Sequence, residues 1–247
     1  MKQTGKWAQT TNMQLALETL YTAIDAPPGF PRLATFYGPS GYGKTVAAAA
    51  AAAKTTAAYL RVQSIWTQKN FLEELARELG VLSIANTAVR ILRQIEDRIE
   101  HSPTPIIIDE MDNIVERRSV EIIRDIADAT DAPILLIGEE SLPAKLKEWE
   151  RFDNRIIAHV AAQPSGLADG LLLRDIYANG VDIADDLIAH FVRECRGITR
   201  RIAVNIYNAQ RIAVDELESK SIDLEGWGDR PVVNGEIPRR RKLIESL

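Results

Sequence analysis

Short continuous apolar runs alternate along the first two thirds of the chain with stretches in which apolar residues recur at helical spacing. The runs at 33–37, 57–62, 105–108, 134–137 and 156–160 read as five buried strands. Between them, the alanine-rich stretch 46–53, the segment 71–79 closed by Gly80, the stretch 87–100 with Ile91, Leu92, Ile95 and Ile99, and the segment 120–129 read as helices. Strands separated by helices imply an α/β fold with a five-stranded parallel sheet flanked by helices, its ligand at the carboxyl ends of the strands. From Pro164 the pattern changes: 167–177, 183–195 and 199–218 are helical with no strand between them, and Gly180 and Gly197 mark helix ends. The expectation is an α/β domain over 1–163, a small helical lid over 164–218 and an irregular tail over 219–247.

Composition narrows the class. With 247 residues and 46% hydrophobic content the chain can bury a proper core. No stretch approaches the roughly 18 apolar residues of a membrane span, and the N-terminus lacks a secretory apolar segment, so no membrane partner and a cytoplasmic location are expected. Cys195 is the single cysteine, and His101, His159 and His190 are widely spaced, which argues against disulfide, redox and transition-metal chemistry. A net charge of −5 excludes a surface that is basic throughout. It leaves room for a local strip, the clearest being Arg239, Arg240, Arg241 and Lys242, which reads equally well as a solvated terminus.

Candidate chemistry begins directly after the first strand. Gly38, Pro39, Ser40, Gly41, Tyr42, Gly43, Lys44 and Thr45 fit G-x-x-x-x-G-K-[ST], a phosphate-binding loop, in the strand-before, helix-after context that loop requires. Glycines let backbone N–H groups converge on the phosphates of a nucleoside triphosphate, with the following helix N-terminus adding its dipole. Lys44 is expected on the β- and γ-phosphates and Thr45 on Mg²⁺. Asp109 and Glu110 end the third strand and face the same crevice: Asp109 to hold Mg²⁺, Glu110 to orient and deprotonate the attacking water. An acidic strand-end turn is the plainer reading of that pair. Glu139, after the fourth strand, is a candidate for positioning the water, or else part of an acidic helix N-terminus. Arg155, with Arg151 second, is a candidate finger onto a neighbouring subunit's nucleotide, or a surface ion pair with Glu150 or Asp153. Arg200, opening the last lid helix behind Thr199, is placed to sense the γ-phosphate.

These elements in this order resemble the AAA+ ATPases, over roughly residues 10–218. The phrases Ile108-Asp109-Glu110-Met111-Asp112-Asn113-Ile114 and Leu136-Ile137-Gly138-Glu139-Glu140-Ser141-Leu142 look like those of the DNA-transposition ATPases, bacteriophage Mu B protein and its relatives TnsC, TniB and IstB. The resemblance implies an AAA+ P-loop NTPase fold and ATP-dependent, largely sequence-nonspecific assembly of a homo-oligomer or helical filament on double-stranded DNA. It also implies recruitment and stimulation of a transposase, in a phage or prophage setting in a bacterial host. Slow hydrolysis then dismantles the filament. Two departures stand out. With only residues 1–37 ahead of the phosphate loop, the extra N-terminal DNA-binding domain of Mu B is expected to be absent, and Glu139 replaces an Asn-like residue. By analogy with backbone contacts in such filaments, Gln68, Lys69, Thr87 and Arg90 are the candidate DNA contacts, each also readable as a solvated helix-end residue. A helicase loader, or an ATPase module that binds a protein partner and no DNA, is the alternative.

Overall fold

A computed structural model describes residues 7–116 and 119–236. These form two compact units, one of residues 9–163 and one of residues 164–236 together with 7–8. The basic cluster Arg239 to Lys242 lies outside the described residues.

The first unit is built on a five-stranded sheet of β1 (Leu33–Tyr37), β2 (Ala58–Arg61), β3 (Ile106–Asp109), β4 (Ile134–Gly138) and β5 (Ile156–Ala161), ordered β2-β3-β4-β1-β5 with every pair parallel. β3 and β4 are buried along their whole length, which is why they read as unbroken isoleucine and leucine rather than as an alternation. Ile106, Ile108, Ile134 and Leu136 face a core shared with α3 (Gln68–Glu78), α4 (Ala88–His101) and α6 (Val120–Thr130). Successive side chains point to opposite faces, so Ile107, Leu135 and Ile137 serve the other side, where α1 (Thr11–Ile24) and α2 (Lys44–Thr55) pack on each other and on the sheet. The buried alanines Ala47, Ala48, Ala50 and Ala51 let α2 lie close to it. Short helices α5 (Asp112–Glu116), α7 (Leu142–Lys147) and α8 (Glu150–Asp153) finish the connections. α1 was not among the expected elements. Its buried Met13, Ala16, Leu20 and Ala23 recur at helical spacing, but threonines and asparagine interrupt the stripe.

The second unit corrects two expectations. It is not purely helical: between α9 (Leu167–Tyr177) and α10 (Asp185–Glu194) lies β6 (Asp182–Ile183), which pairs in parallel with β7 (Ser221–Ile222) after α11 (Thr199–Asp215). Nor are the described residues after 219 irregular throughout, since β7 and α12 (Leu224–Trp227) lie there, the α12 cap Asp223 accepting from the Gly226 amide, although 228–236 hold no helix or strand. Two-residue strands leave no periodicity to read, and their burial is carried by isolated residues, Ile183 and Ile222. The Trp227 ring meets Phe191 edge-on at 4.9 Å. Asn205, fully buried, fastens the C-terminal segment to α11: Nδ2 donates to the Val233 carbonyl (3.1 Å) and Oδ1 accepts from the Val233 amide (2.9 Å).

Replacing Asn205 leaves the Val233 amide unpaired and its carbonyl with only the weak Cys195 thiol donor at 3.7 Å. Asn205→Ala should therefore destabilise the second unit by about 2 kcal/mol, with faster hydrogen exchange concentrated in residues 229–236. Exchange in that segment unchanged from wild type would refute the clamp.

Candidate nucleotide site

The loop between β1 and α2 is shaped by its glycines. Gly41 and Gly43 hold φ of +88° and +81°, the left-handed region that side chains resist. Gly38 is limited by space, since a Cβ there would lie 3.0 Å from that of Ala162 beside the end of β5. α2 starts at Lys44 with no side-chain cap, so its first amides face the loop. Lys44 folds back over this loop, Nζ donating to the carbonyls of Gly38 (2.6 Å) and Pro39 (2.9 Å). Burial lowers its pKa, opposed by the charges of Asp109, Glu110, Glu139 and Asp112.

Those four acids come from the ends of β3 and β4. Asp109, 2% exposed, is the most enclosed of them. Its carboxylate accepts hydrogen bonds from the Thr45 hydroxyl, the Tyr59 hydroxyl (3.0 Å) and the Glu110 amide (2.9 Å). Burial raises its pKa, and those three donors pull it back. The same burial, with the Asp109 charge, raises the pKa of Tyr59. Thus Lys44, Thr45, Asp109 and Glu110, drawn from two separate motifs, stand together. Glu110 has a left-handed backbone, φ +60°, and its Oε1 accepts from the Arg61 guanidinium at 2.9 Å. Arg61 pairs in register with Asp109 across β2 and β3. Its pKa is raised by that hydrogen bond to Glu110.

Asp112 went unnoticed in the sequence and organises the exit of β4. Its Oδ2 accepts from the Glu139 amide (2.7 Å) and its Oδ1 from Lys145 Nζ (2.9 Å), an ion pair that raises the lysine's pKa. Gly138 is obligatory beside it, because a Cβ would come within 2.4 Å of Asp112 Oδ2 and 2.7 Å of Leu142. A buried acid two residues after a strand-end pair is the only sequence signal for this role.

The other candidates lie elsewhere. Arg155 precedes β5 and grips Asp128 of α6 with its Nε and Nη2, the latter at 2.7 Å, while Nη1 donates to the Arg151 carbonyl at 2.5 Å. It is therefore an ion pair, though with Asp128 and not with Glu150 or Asp153. Arg151 is exposed on α8. Arg200 is exposed in the first turn of α11, in the second unit. Gln68 and Lys69 open α3, where Gln68 donates to Ser119 Oγ (3.3 Å) and Lys69 pairs with Glu73 (3.4 Å). Thr87 and the exposed Arg90 open α4, which packs on α3.

Because burial raises the folded-state pKa of Asp109, the folded chain keeps that proton to higher pH than the unfolded chain does. Stability from this group is full below the unfolded pKa and is lost as pH rises through the folded one. Asp109→Asn should therefore stabilise the nucleotide-free protein at neutral pH, on the order of 1 kcal/mol, and flatten the loss above the acid range. Urea unfolding across pH measures this, and a less stable variant at pH 7 would contradict it.

Residues 31–146 match the family model described as AAA domain. No protein of curated function matches the chain in sequence. Similar solved structures include Cdc6p from Pyrobaculum aerophilum, at TM-score 0.61 and 16% identity over 90% of this chain and 66% of that one. The Aeropyrum pernix ORC1 protein in complex with DNA is similar at TM-score 0.57 and 17% identity, over 87% of this chain and 62% of that one. The Aeropyrum pernix ORC2 protein in its ADP form gives TM-score 0.60 and 16% identity, over 89% and 67%. The chain thus spans about two thirds of the length of these structures. Residues 31–146 thus match an AAA domain, and the chain has the AAA+ P-loop NTPase fold.

Proposed function

We propose that the protein binds ATP with Mg²⁺ at the loop 38–45 and assembles as a homo-oligomer on duplex DNA. In this reading it hydrolyses ATP at subunit boundaries and recruits and stimulates a transposase, in the cytoplasm of a bacterial host as a phage or prophage protein. The observation that carries the nucleotide part is the meeting of Thr45 with Asp109 beside a left-handed glycine loop and a half-buried Lys44. That donor set fits a nucleotide with its metal: Thr45 and Asp109 offer hard oxygens, and Lys44 and the first amides of α2 offer positive groups. Mg²⁺ held there would neutralise charge on the phosphates. Glu110 would take the proton of the attacking water, with Arg61 holding its carboxylate in the nucleotide-free chain. Glu139, tied by its amide to Asp112, flanks the same crevice.

A trans role for Arg155 is supported by distance. Its carbonyl accepts from the amide of Leu33 at the start of β1, whereas the phosphate loop follows Tyr37 at the other end. Five residues of strand span about 16 Å, more than an arginine side chain reaches. That distance sets its guanidinium beyond its own phosphate loop and supports a neighbour's nucleotide as the one it would serve. The DNA part rests on the resemblance carried by 108–114 and 136–142, and on ORC1, a protein of similar fold described in complex with DNA. Arg200 would act as a sensor from the second unit, and Gln68, Lys69, Thr87 and Arg90 would touch the DNA backbone.

Lys44→Ala should weaken ATP binding on the order of 100-fold, from loss of charge-assisted bonds to the phosphates. Glu110→Gln should bind ATP yet hydrolyse it about 10²–10⁴-fold more slowly. Arg155→Ala should bind as wild type but lose about 10³-fold of assembly-stimulated turnover. Mixing these last two variants creates some boundaries with both groups intact, so part of the activity should return. No recovery in assemblies shown to be mixed would exclude the trans role.

Binding to duplex DNA should require ATP and fall steeply with salt, because an acidic chain contacts phosphates effectively only as an array. Lys69→Ala and Arg90→Ala should weaken it without altering sequence preference. Nucleotide-independent binding, or none at low salt with ATP, would exclude the transposition reading in favour of a protein client.

A further inference from the structure

Asn12 lies in the first turn of α1 and is 3% exposed, yet its side chain makes three hydrogen bonds, all to backbone groups far away in sequence. Its Nδ2 donates to the carbonyl of Tyr42 in the phosphate loop (2.8 Å) and to the carbonyl of Gln163 (2.7 Å). Its Oδ1 accepts from the Gln163 amide (2.8 Å). Tyr42 lies between the two left-handed glycines of the loop, and its carbonyl orientation fixes the peptide that carries the Gly43 amide. Gln163 is the last residue of the first unit, and its neighbour Ala162 donates to the Tyr37 carbonyl at the end of β1. One amide therefore closes a ring in which the loop leaves β1, passes Asn12 and returns to the exit of β5. Neither backbone site has another partner among the described residues.

We infer that Asn12 is a positioning residue for the nucleotide and the link by which the loop's state reaches residue 163, where the chain leaves the first unit. This rests on the reading of 38–45 as the phosphate site. Loop peptides that turn to meet phosphate move the Tyr42 carbonyl. The shared amide then passes that movement to Gln163, because Asn12 cannot follow one carbonyl without straining its bonds to the other. A side chain that merely filled space would not couple the two.

The test uses the full chain with a non-hydrolysable ATP analogue and Mg²⁺. In the wild type, hydrogen exchange should slow both in 38–45 and in 161–166 when the analogue binds. Asn12→Ala should bind about tenfold more weakly and, at saturation, should regain protection in 38–45 without the change at 161–166. Asn12→Asp keeps the acceptor to the Gln163 amide and the side-chain shape, and sets an oxygen against two carbonyls. It should lose affinity at neutral pH at least as far as Asn12→Ala does, because it repels both carbonyls where the wild type donates to them. This variant guards against misfolding of the alanine form. Protection at 161–166 that persists in Asn12→Ala, or wild-type affinity in Asn12→Asp, would overturn the inference while leaving the site intact. A wild-type chain that does not bind the analogue would overturn both.

Discussion

A carboxylate at the end of a buried strand, Asp109, is the interaction on which the site depends. In isolation its ionised form would be costly there. It persists because Thr45, Tyr59 and the Glu110 amide all donate to it and because Lys44 stands nearby. Each member of the group is held at some cost: burial pushes the carboxyl up and the ammonium down, and each charge eases the other. Ligands bearing both signs, such as phosphate with a divalent cation, would relieve that strain on both sides. Nucleotide binding should then stabilise the fold by more than its contacts alone suggest, as any ligand confined to the folded state does.

Sheet order makes the arrangement possible. β1 and β3 are separated by β4 alone, so their ends stand two strand spacings apart, about 10 Å. That gap admits the side chains of α2's first turn from one side and Asp109 from the other. β4 ends between them, and its exit must stay out of the way: Gly138 has no side chain to intrude, and Asp112 with Lys145 pins the Glu139 amide aside. The three strand ends are thus one device, and changing any of them displaces the others.

What could be read in the sequence was whatever local pattern controls. The five strands, the phosphate loop and the Asp109–Glu110 pair announce themselves through unbroken apolar runs and short fixed spacings. The features that escaped notice are pairings across long separations. Asn12 meets Gln163, Arg61 meets Glu110, and Asn205 meets Val233, none within reach of a helical or strand repeat. α1 was overlooked because Asn12 and Thr19, which would be polar faults in a surface helix, are among its buried residues. The paired strands β6 and β7 are too short to show a period, and only contact across α11 defines them.

Arg155 shows how a local reading can name the right kind of bond and the wrong partner. Glu150 and Asp153 are nearer in sequence, but a planar guanidinium binds best to a carboxylate it meets edge to edge, and Asp128 on α6 offers that approach. Both members of the pair are more than a third exposed, at 37% and 42%, so the bond is screened and adds little to stability. This matters for the proposed trans role. A guanidinium sunk in a buried pair would have to break a strong bond to reach a neighbour's phosphate. In that role the exchange would trade one screened bidentate acceptor for another of higher charge, which would tip the balance toward the phosphate if subunits met there. Asp128 would then keep the fork extended without holding it back.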